Sequence, residues 1–185
     1  MEGSLSSPRQ NNRVVCYCDD CQAFAHFLKR EDILDEHGGT DIVQVTQAQV
    51  KLPKAELRCM RLSEKGPFRW YTACCKTPAG NTLHKYWSPF AGIAAGLFVP
   101  GEGRTLDDVL GPPVDWIWGR FATGTPPPHV HPKVSLGGLG RVLKFVSKGA
   151  VRRQHKPSSY FDARTHEPVS TPQVLTAAER APLYR

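Results

Sequence analysis

The chain has 185 residues, of which 40% are hydrophobic and 22% are charged. This composition is typical of one globular domain and excludes collagen-like and strongly disordered chains. The 16 glycines and 16 prolines favour short elements joined by many turns over a long-helix bundle or a coiled coil. The net charge of +7 permits weak attraction to polyanions but does not predict it.

Neither a membrane span nor a secretory leader is predicted. The longest apolar run covers residues 90–99, well short of the roughly 20 residues that a spanning helix needs. The first residues, MEGSLSSPRQNNR, contain no apolar segment of the leader type. We therefore expect a cytoplasmic protein without a membrane partner.

The first part of the chain predicts a tail, a strand and a helix. Residues 1–12 are polar and predict a disordered tail. A short strand over residues 13–16 comes next, followed by a helix that begins near Cys21 and is capped by Asp19 or Asp20. This helix has one apolar face, because apolar residues recur at i, i+3, i+4 and i+7: Cys21, Phe24, Ala25 and Leu28.

The remaining elements are predicted from the alternation of apolar and polar residues, from β-branched residues and from turn motifs. Three further strands are predicted over 41–49, 57–62 and 68–72. A tight loop is predicted at 77–81, and helical segments at 106–110, 141–151 and 176–180. The sequence thus predicts a mainly β fold, with a small antiparallel sheet and one or two short helices. Residues 13–152 form its domain, and residues 153–185 an extended C-terminal segment.

Six cysteines predict metal or redox chemistry, because a reducing cytosol disfavours disulfides. Three of them are clustered in the segment CYCDDC, at Cys16, Cys18 and Cys21. Alternation along a strand end puts Cys16 and Cys18 on one face, and a following helical turn can return Cys21 to them. Three thiolates suit a soft divalent cation, zinc first. We predict one zinc ion per chain on these three residues.

Other interpretations of the cysteines stay open. The three thiols can simply pack together, and Cys18 and Cys21 can form a redox pair, although the intervening aspartates would raise their pKa values. Cys74 or Cys75 could close the zinc site, but only one of them, since neighbours on a strand face opposite ways. Cys59 lies in mid-strand and is predicted to be a packed thiol.

The early motif resembles that of the glutathione-dependent formaldehyde-activating enzyme (GFA) family, which includes centromere protein V. That family has Cys-His-Cys-x-x-Cys-Arg early and Cys-x-x-Cys-Gly-Thr later. In this chain Cys16, Cys18 and Cys21 match the early motif, and Cys75 and Thr77 match the later one. The resemblance covers residues 13–82, and the tail pattern is similar to that of an uncharacterised bacterial branch of the family.

The resemblance implies a β-tent-type zinc fold, with a catalytic zinc on the three early cysteines. Three departures from the family pattern limit it: Tyr17 replaces the family's His, Thr72 stands where the first late cysteine would be, and no cysteine precedes Cys16. A second, structural zinc is therefore not expected. The implied function is a carbon–sulfur lyase that acts on a glutathione or small-thiol adduct. The alternative is a non-catalytic binding or scaffold module with a structural metal or packed cysteines.

Two other segments carry candidate chemistry. His129 and His131 lie in a Pro-rich loop and are predicted to be exposed, with an acid/base role at a substrate mouth as the alternative. Residues 141–156 are basic and predict a solvated helix face, an anion site or, least favoured, a nucleic-acid contact. The sequence predicts no oligomeric state.

Overall fold

The computed structural model describes residues 4–5 and 12–184, and its architecture is mainly β, as the sequence predicts. Eight strands form one mixed sheet, and two short strands form a second, antiparallel one. The strands are β1 (Ser4–Leu5), β2 (Asn12–Cys16), β3 (Thr40–Thr46), β4 (Val50–Lys51), β5 (Leu57–Arg61), β6 (Phe68–Thr72), β7 (Pro78–Thr82), β8 (Phe90–Ala94), β9 (Asp115–Ile117) and β10 (Gln173–Val174).

The α-helices of the described residues are α1 (Asp19–Leu28), α2 (Leu106–Leu110), α3 (Leu136–Val151) and α4 (Ala177–Arg180). None of these helices is long and apolar enough to cross a membrane.

The large sheet has the strand order β10-β5-β6-β7-β8-β3-β2-β9. Its six central strands are antiparallel, as predicted. The two edge strands are parallel to their neighbours: β10 pairs with β5, and β9 pairs with β2. A parallel neighbour cannot be joined by a tight hairpin, so these edges come from distant parts of the chain. For this reason the short-range patterns of the sequence do not predict them.

Helix α1 begins at Asp19, two residues before Cys21, and its N-cap residue is Cys18. The predicted capping by Asp19 or Asp20 is wrong, because both residues lie inside the first turn. Their carboxylates still complement the positive end of the helix dipole. The predicted apolar face is confirmed, since Phe24, Ala25 and Leu28 are buried against the sheet.

The predicted loop at 77–81 is wrong, because Pro78–Thr82 forms the central strand β7. Proline is tolerated at the first residue of a strand, where its missing N–H costs little. Gly80 has φ +131°, and a Cβ there would lie 2.5 Å from the hydroxyl oxygen of Tyr160. That hydroxyl donates a hydrogen bond to the Ala79 carbonyl at 2.8 Å. The glycine that suggested a turn therefore lets a buried tyrosine reach the strand.

Hydrophobic clusters cover both faces of the large sheet. One contains Trp70, Tyr160 and Phe161, and the other packs α1 on Met60 and Leu175. The C-terminal segment after residue 152 thus supplies buried residues to both faces. Most of the predicted tail at 1–12 lies outside the described residues, but Ser4–Leu5 pairs with Val50–Lys51.

A buried arginine fixes strand β2, which leads into the cysteine motif. The Arg13 side chain donates hydrogen bonds to both carboxylate oxygens of Asp41, at 2.7 to 3.0 Å. It also donates to the Asp107 carboxylate and to the Gly111 carbonyl. These bonds join β2 to β3 and to the end of α2, and so hold the strand on which Cys16 is the last residue.

Candidate metal centre

The structure brings the three predicted cysteines together. The Sγ atoms of Cys16, Cys18 and Cys21 all lie within 4.8 Å of one another, and those of Cys16 and Cys21 are 3.9 Å apart. This cysteine tripod could hold a metal ion. Across residues 4–5 and 12–184, no other group of three or more His, Cys, Asp or Glu side chains has that spacing.

The tripod forms where a strand becomes a helix. Cys16 ends β2, Cys18 is the N-cap of α1, and Cys21 is the third residue of that helix. The carbonyl of Cys18 accepts backbone hydrogen bonds from Cys21 and Gln22, at 3.0 and 3.3 Å. The first helical turn therefore folds Cys21 back toward the strand end, as the sequence predicts.

A buried glutamine locks the connecting residues in place. Gln22 Nε2 donates to the Tyr17 carbonyl at 2.8 Å and to the Phe121 carbonyl at 2.9 Å. Gln22 is buried, so these bonds are made away from solvent. The amide thus ties the loop between Cys16 and Cys18 to a separate segment of the chain.

Tyr17, which replaces the family's histidine, is engaged elsewhere. Its hydroxyl donates to Asp35 Oδ2 at 3.0 Å, and the side chain is buried. Burial and this hydrogen bond raise the pKa of Tyr17 to about 12. A Cβ on Gly39 would lie 2.7 Å from the Tyr17 ring, so the ring occupies space that only glycine leaves. Tyr17 supports the loop through Asp35, and its hydroxyl is not available as a metal ligand.

The three thiols have different proton affinities. Hydrogen bonds with Cys16 and Cys18, assisted by the charge of Arg69, hold the pKa of Cys21 well below its ordinary value despite desolvation. Hydrogen bonds with Cys18 and Cys21, together with burial, raise the pKa of Cys16. The pKa of Cys18 is also raised. Its hydrogen bond with Cys16 lowers this pKa, but its hydrogen bond with Cys21 and its burial raise it by more.

Of the three sulfurs, Cys21 is therefore the one most readily deprotonated. A metal that binds all three sulfurs displaces the remaining protons, which couples its affinity to pH.

Arg69 lies beside the tripod and was not recognised as a site residue from the sequence. Its guanidinium carbon is 5.3 Å from the centroid of the Phe24 ring, and Nη2 is 3.6 Å from Asp20 Oδ2. The side chain is 4% exposed. A charged residue between Phe68 and Trp70, in a short buried strand, is the feature that could have identified it.

The late cysteines lie apart from the tripod. Cys74 and Cys75 are exposed on the turn between β6 and β7, and neither belongs to the group that could hold a metal. The Cys75 sulfur lies 3.1 Å from the Thr72 hydroxyl and 3.3 Å from that of Thr77. These hydrogen bonds, with one from Cys74, lower the pKa of Cys75 to about 6. Cys59 is buried in the core, as predicted.

The two loop histidines are exposed, as predicted, and do not join the tripod. His129 makes an edge contact with Trp116, with ring centroids 4.6 Å apart. His131 Nε2 lies 3.7 Å from Asp115 Oδ1. In the basic segment, Arg141 forms an ion pair with Asp115 at 2.7 Å, which fixes α3 to strand β9. The Arg141 guanidinium is therefore already paired.

Comparison with known proteins places the chain in one family. Residues 3–171 match the model of DUF6151, a family of unknown function. The chain belongs to this family. Searches of curated proteins and of solved structures find no match to this DUF6151 protein. The resemblance to the GFA family therefore remains a prediction from the motif.

Proposed function

We propose that this DUF6151 protein binds one zinc ion through Cys16, Cys18 and Cys21. Zinc–sulfur bonds of about 2.3 Å in a tetrahedral site place the sulfurs about 3.8 Å apart. The 3.9 Å between the Sγ atoms of Cys16 and Cys21 agrees with that spacing, and Cys18 completes the group. This spacing is the observation that carries the proposal.

We further propose that the fourth zinc position takes the sulfur of glutathione or of a small-thiol adduct. Three protein ligands with one free position are the usual composition of a catalytic zinc site, whereas structural sites have four. In the described ranges, no fourth acidic, histidine or cysteine side chain joins the tripod. A thiol that enters this position would be held as a thiolate.

The proposed reaction class is carbon–sulfur lysis. When bound, zinc supplies a Lewis acid that stabilises sulfur as a leaving group. In an S-hydroxymethyl adduct, the C–S bond would break with its electron pair on the sulfur, the hydroxyl oxygen would form the carbonyl, and the hydroxyl proton would pass to solvent water. The tripod would hold the reacting sulfur near the end of β2, and the Arg69 guanidinium favours negative charge on the Cys21 sulfur.

The second candidate function is a binding or scaffold module in which the cysteines hold a structural metal or only pack. The burial of Cys16 and the hydrogen bond between the Cys16 and Cys21 sulfurs, which lie 3.9 Å apart, favour it, because packed thiols can satisfy one another without an ion. The two functions differ in whether an added thiol reaches the metal.

Cobalt substitution separates the two functions. Protein loaded with Co²⁺ should show thiolate-to-cobalt absorption, and added glutathione should change both its intensity and the ligand-field bands. Tightly held cobalt with a spectrum that glutathione leaves unaltered would support the structural alternative. Cys18→Ser should lose the metal, whereas Cys75→Ser, a matched change at an exposed cysteine outside the tripod, should retain it.

A further inference from the structure

A small cavity lies next to Cys21, between α1 and the sheet. It measures about 20 Å³ and opens to solvent. Three residues that line it each have one buried side-chain atom without a hydrogen-bond partner: Thr40 Oγ1, Arg69 Nε and Asn81 Oδ1. In the described part of the chain, only one other buried side-chain nitrogen or oxygen is unpartnered, on His155. Unpartnered buried polar atoms are rare in folded proteins, so this concentration in one cavity calls for an occupant.

Strand pairing explains why these side chains meet. Arg69 lies opposite Asn81 in the β6–β7 ladder, and Asn81 lies opposite Gly92 in the β7–β8 ladder. Thr40 lies opposite Cys16 in the β2–β3 ladder. Residues that are directly opposite each other point to the same face of a sheet. Gly92 in turn lies opposite Gln44, which shares a face of β3 with Thr40. Arg69 lies opposite Met60, which packs against α1. All of these positions therefore face α1.

Gly92 forms part of the cavity wall. A Cβ at this position would lie 3.1 Å from Ile42 Cγ2, which is tighter than an ordinary contact. Any larger side chain would extend into the space between the strands and α1. The missing side chain of Gly92 thus keeps the cavity open.

The charge of Arg69 favours an anionic occupant. Arg69 is 3% exposed and Thr40 is 6% exposed, so water reaches neither side chain freely. The ion-pair partner of Arg69 is Asp20, at 3.6 Å, and the Asp20 side chain is itself 38% exposed. A buried cation with such a distant partner is costly, and a close oxygen anion would offset that cost.

We propose that this cavity binds the carboxylate of a small ligand. Arg69 Nε and Thr40 Oγ1 donate hydrogen bonds to the carboxylate oxygens. A half-turn of the Asn81 amide presents Nδ2, so this residue donates as well. The cavity is larger than one water molecule needs, and a water adds no negative charge to that of Asp20 and the Cys21 sulfur beside Arg69. That the carboxylate belongs to the thiol substrate rests on the proposed function. That the cavity binds a carboxylate does not.

Sodium formate, the smallest carboxylate, is the probe. In protein labelled with ¹⁵N, formate should shift the Arg69 Nε–Hε resonance in a saturable way, and sodium chloride at equal ionic strength should not. Thr40→Val keeps the shape of the side chain and removes its hydroxyl, so formate affinity should fall about tenfold. Gly92→Ala should abolish binding. Gly140→Ala, at a glycine with open space around it, is the matched control and should bind formate normally.

Three outcomes would overturn the proposal: no saturable shift beyond that with chloride, unchanged affinity in both Thr40→Val and Gly92→Ala, or a cavity that holds only an ordered water. The ¹⁵N spectra also show whether each variant is folded. Titration of metal-free and zinc-loaded protein separates this proposal from the function above. If the protein binds formate but not zinc, the carboxylate cavity is supported and the zinc site is refuted. If it binds zinc but not formate, the zinc site is supported and the carboxylate cavity is refuted.

Discussion

Cys16 and Thr40 lie directly opposite each other across strands β2 and β3. One is a member of the cysteine tripod, and the other supplies an unpartnered hydroxyl to the neighbouring cavity. The candidate metal centre and the carboxylate cavity therefore depend on one strand register. A slip of either strand by one residue would turn that strand's side chain to the other face of the sheet and so separate the two sites.

We predict that Arg13→Met lowers the free energy of unfolding by about 3 kcal/mol, because it leaves the carboxylates of Asp41 and Asp107 without their buried partner. Urea denaturation measures this loss. Lys148→Met, on the exposed side of α3, is the control and should change stability by less than about 0.5 kcal/mol. Equal stabilities of the two variants would refute a structural role for the Arg13 network.

We predict that Gln22→Leu weakens metal binding roughly tenfold or more, because side chains that orient metal ligands typically have effects of this size. The change removes the hydrogen bonds to the Tyr17 and Phe121 carbonyls and so releases the loop between Cys16 and Cys18. Competition with a chromogenic zinc chelator gives the affinity. Gln173→Leu, at an exposed position of β10, should bind zinc like the unmodified protein. A Gln22→Leu variant with unchanged affinity would contradict the prediction.

We predict that Cys75 is alkylated rapidly at neutral pH. Its pKa is lowered to about 6 by the Thr72 and Thr77 hydroxyls and by Cys74, so its thiolate is present above that pH and is lost as the pH falls through it. An unperturbed thiol has its midpoint near 8.5, about 2.5 pH units higher. Iodoacetamide labelling across pH 4.5–9, with tandem mass spectrometry to assign the site, measures the midpoint.

Thr77→Val should move the Cys75 midpoint upward, because the thiolate loses a hydrogen-bond donor. Cys59 is the internal control: burial raises its pKa to about 12, and it should stay unlabelled while the protein is folded. A midpoint for Cys75 close to that of a free cysteine would show that the hydroxyls do not stabilise its thiolate.

Sequence patterns predicted the tripod because its geometry is local. A strand end, an intervening residue and one helical turn bring Cys16, Cys18 and Cys21 together within a short segment. The same local reasoning predicted β6 and the apolar face of α1. It was wrong about residues 77–81, because Pro78 and Gly80 are typical of a turn. In the structure Pro78 is the first residue of β7, and Gly80 allows the Tyr160 hydroxyl to approach the strand closely.

The cavity could not be predicted in this way. Its polar atoms come from Thr40, Arg69 and Asn81, which are distant in sequence and meet only through the order of the strands. Gly92 contributes by lacking a side chain, and a lone glycine in an apolar run is equally typical of a bulge or a tight bend. The two parallel edge strands escaped prediction for the related reason that no hairpin joins them to the sheet.

Zinc K-edge X-ray absorption of protein purified without oxidation reports directly on the ligands of the metal. We expect one zinc per chain with three sulfur atoms at about 2.3 Å and one lighter atom, which a further sulfur replaces when glutathione is added. Protein that contains no zinc after growth with zinc, or a first shell without the three sulfurs, would contradict this expectation.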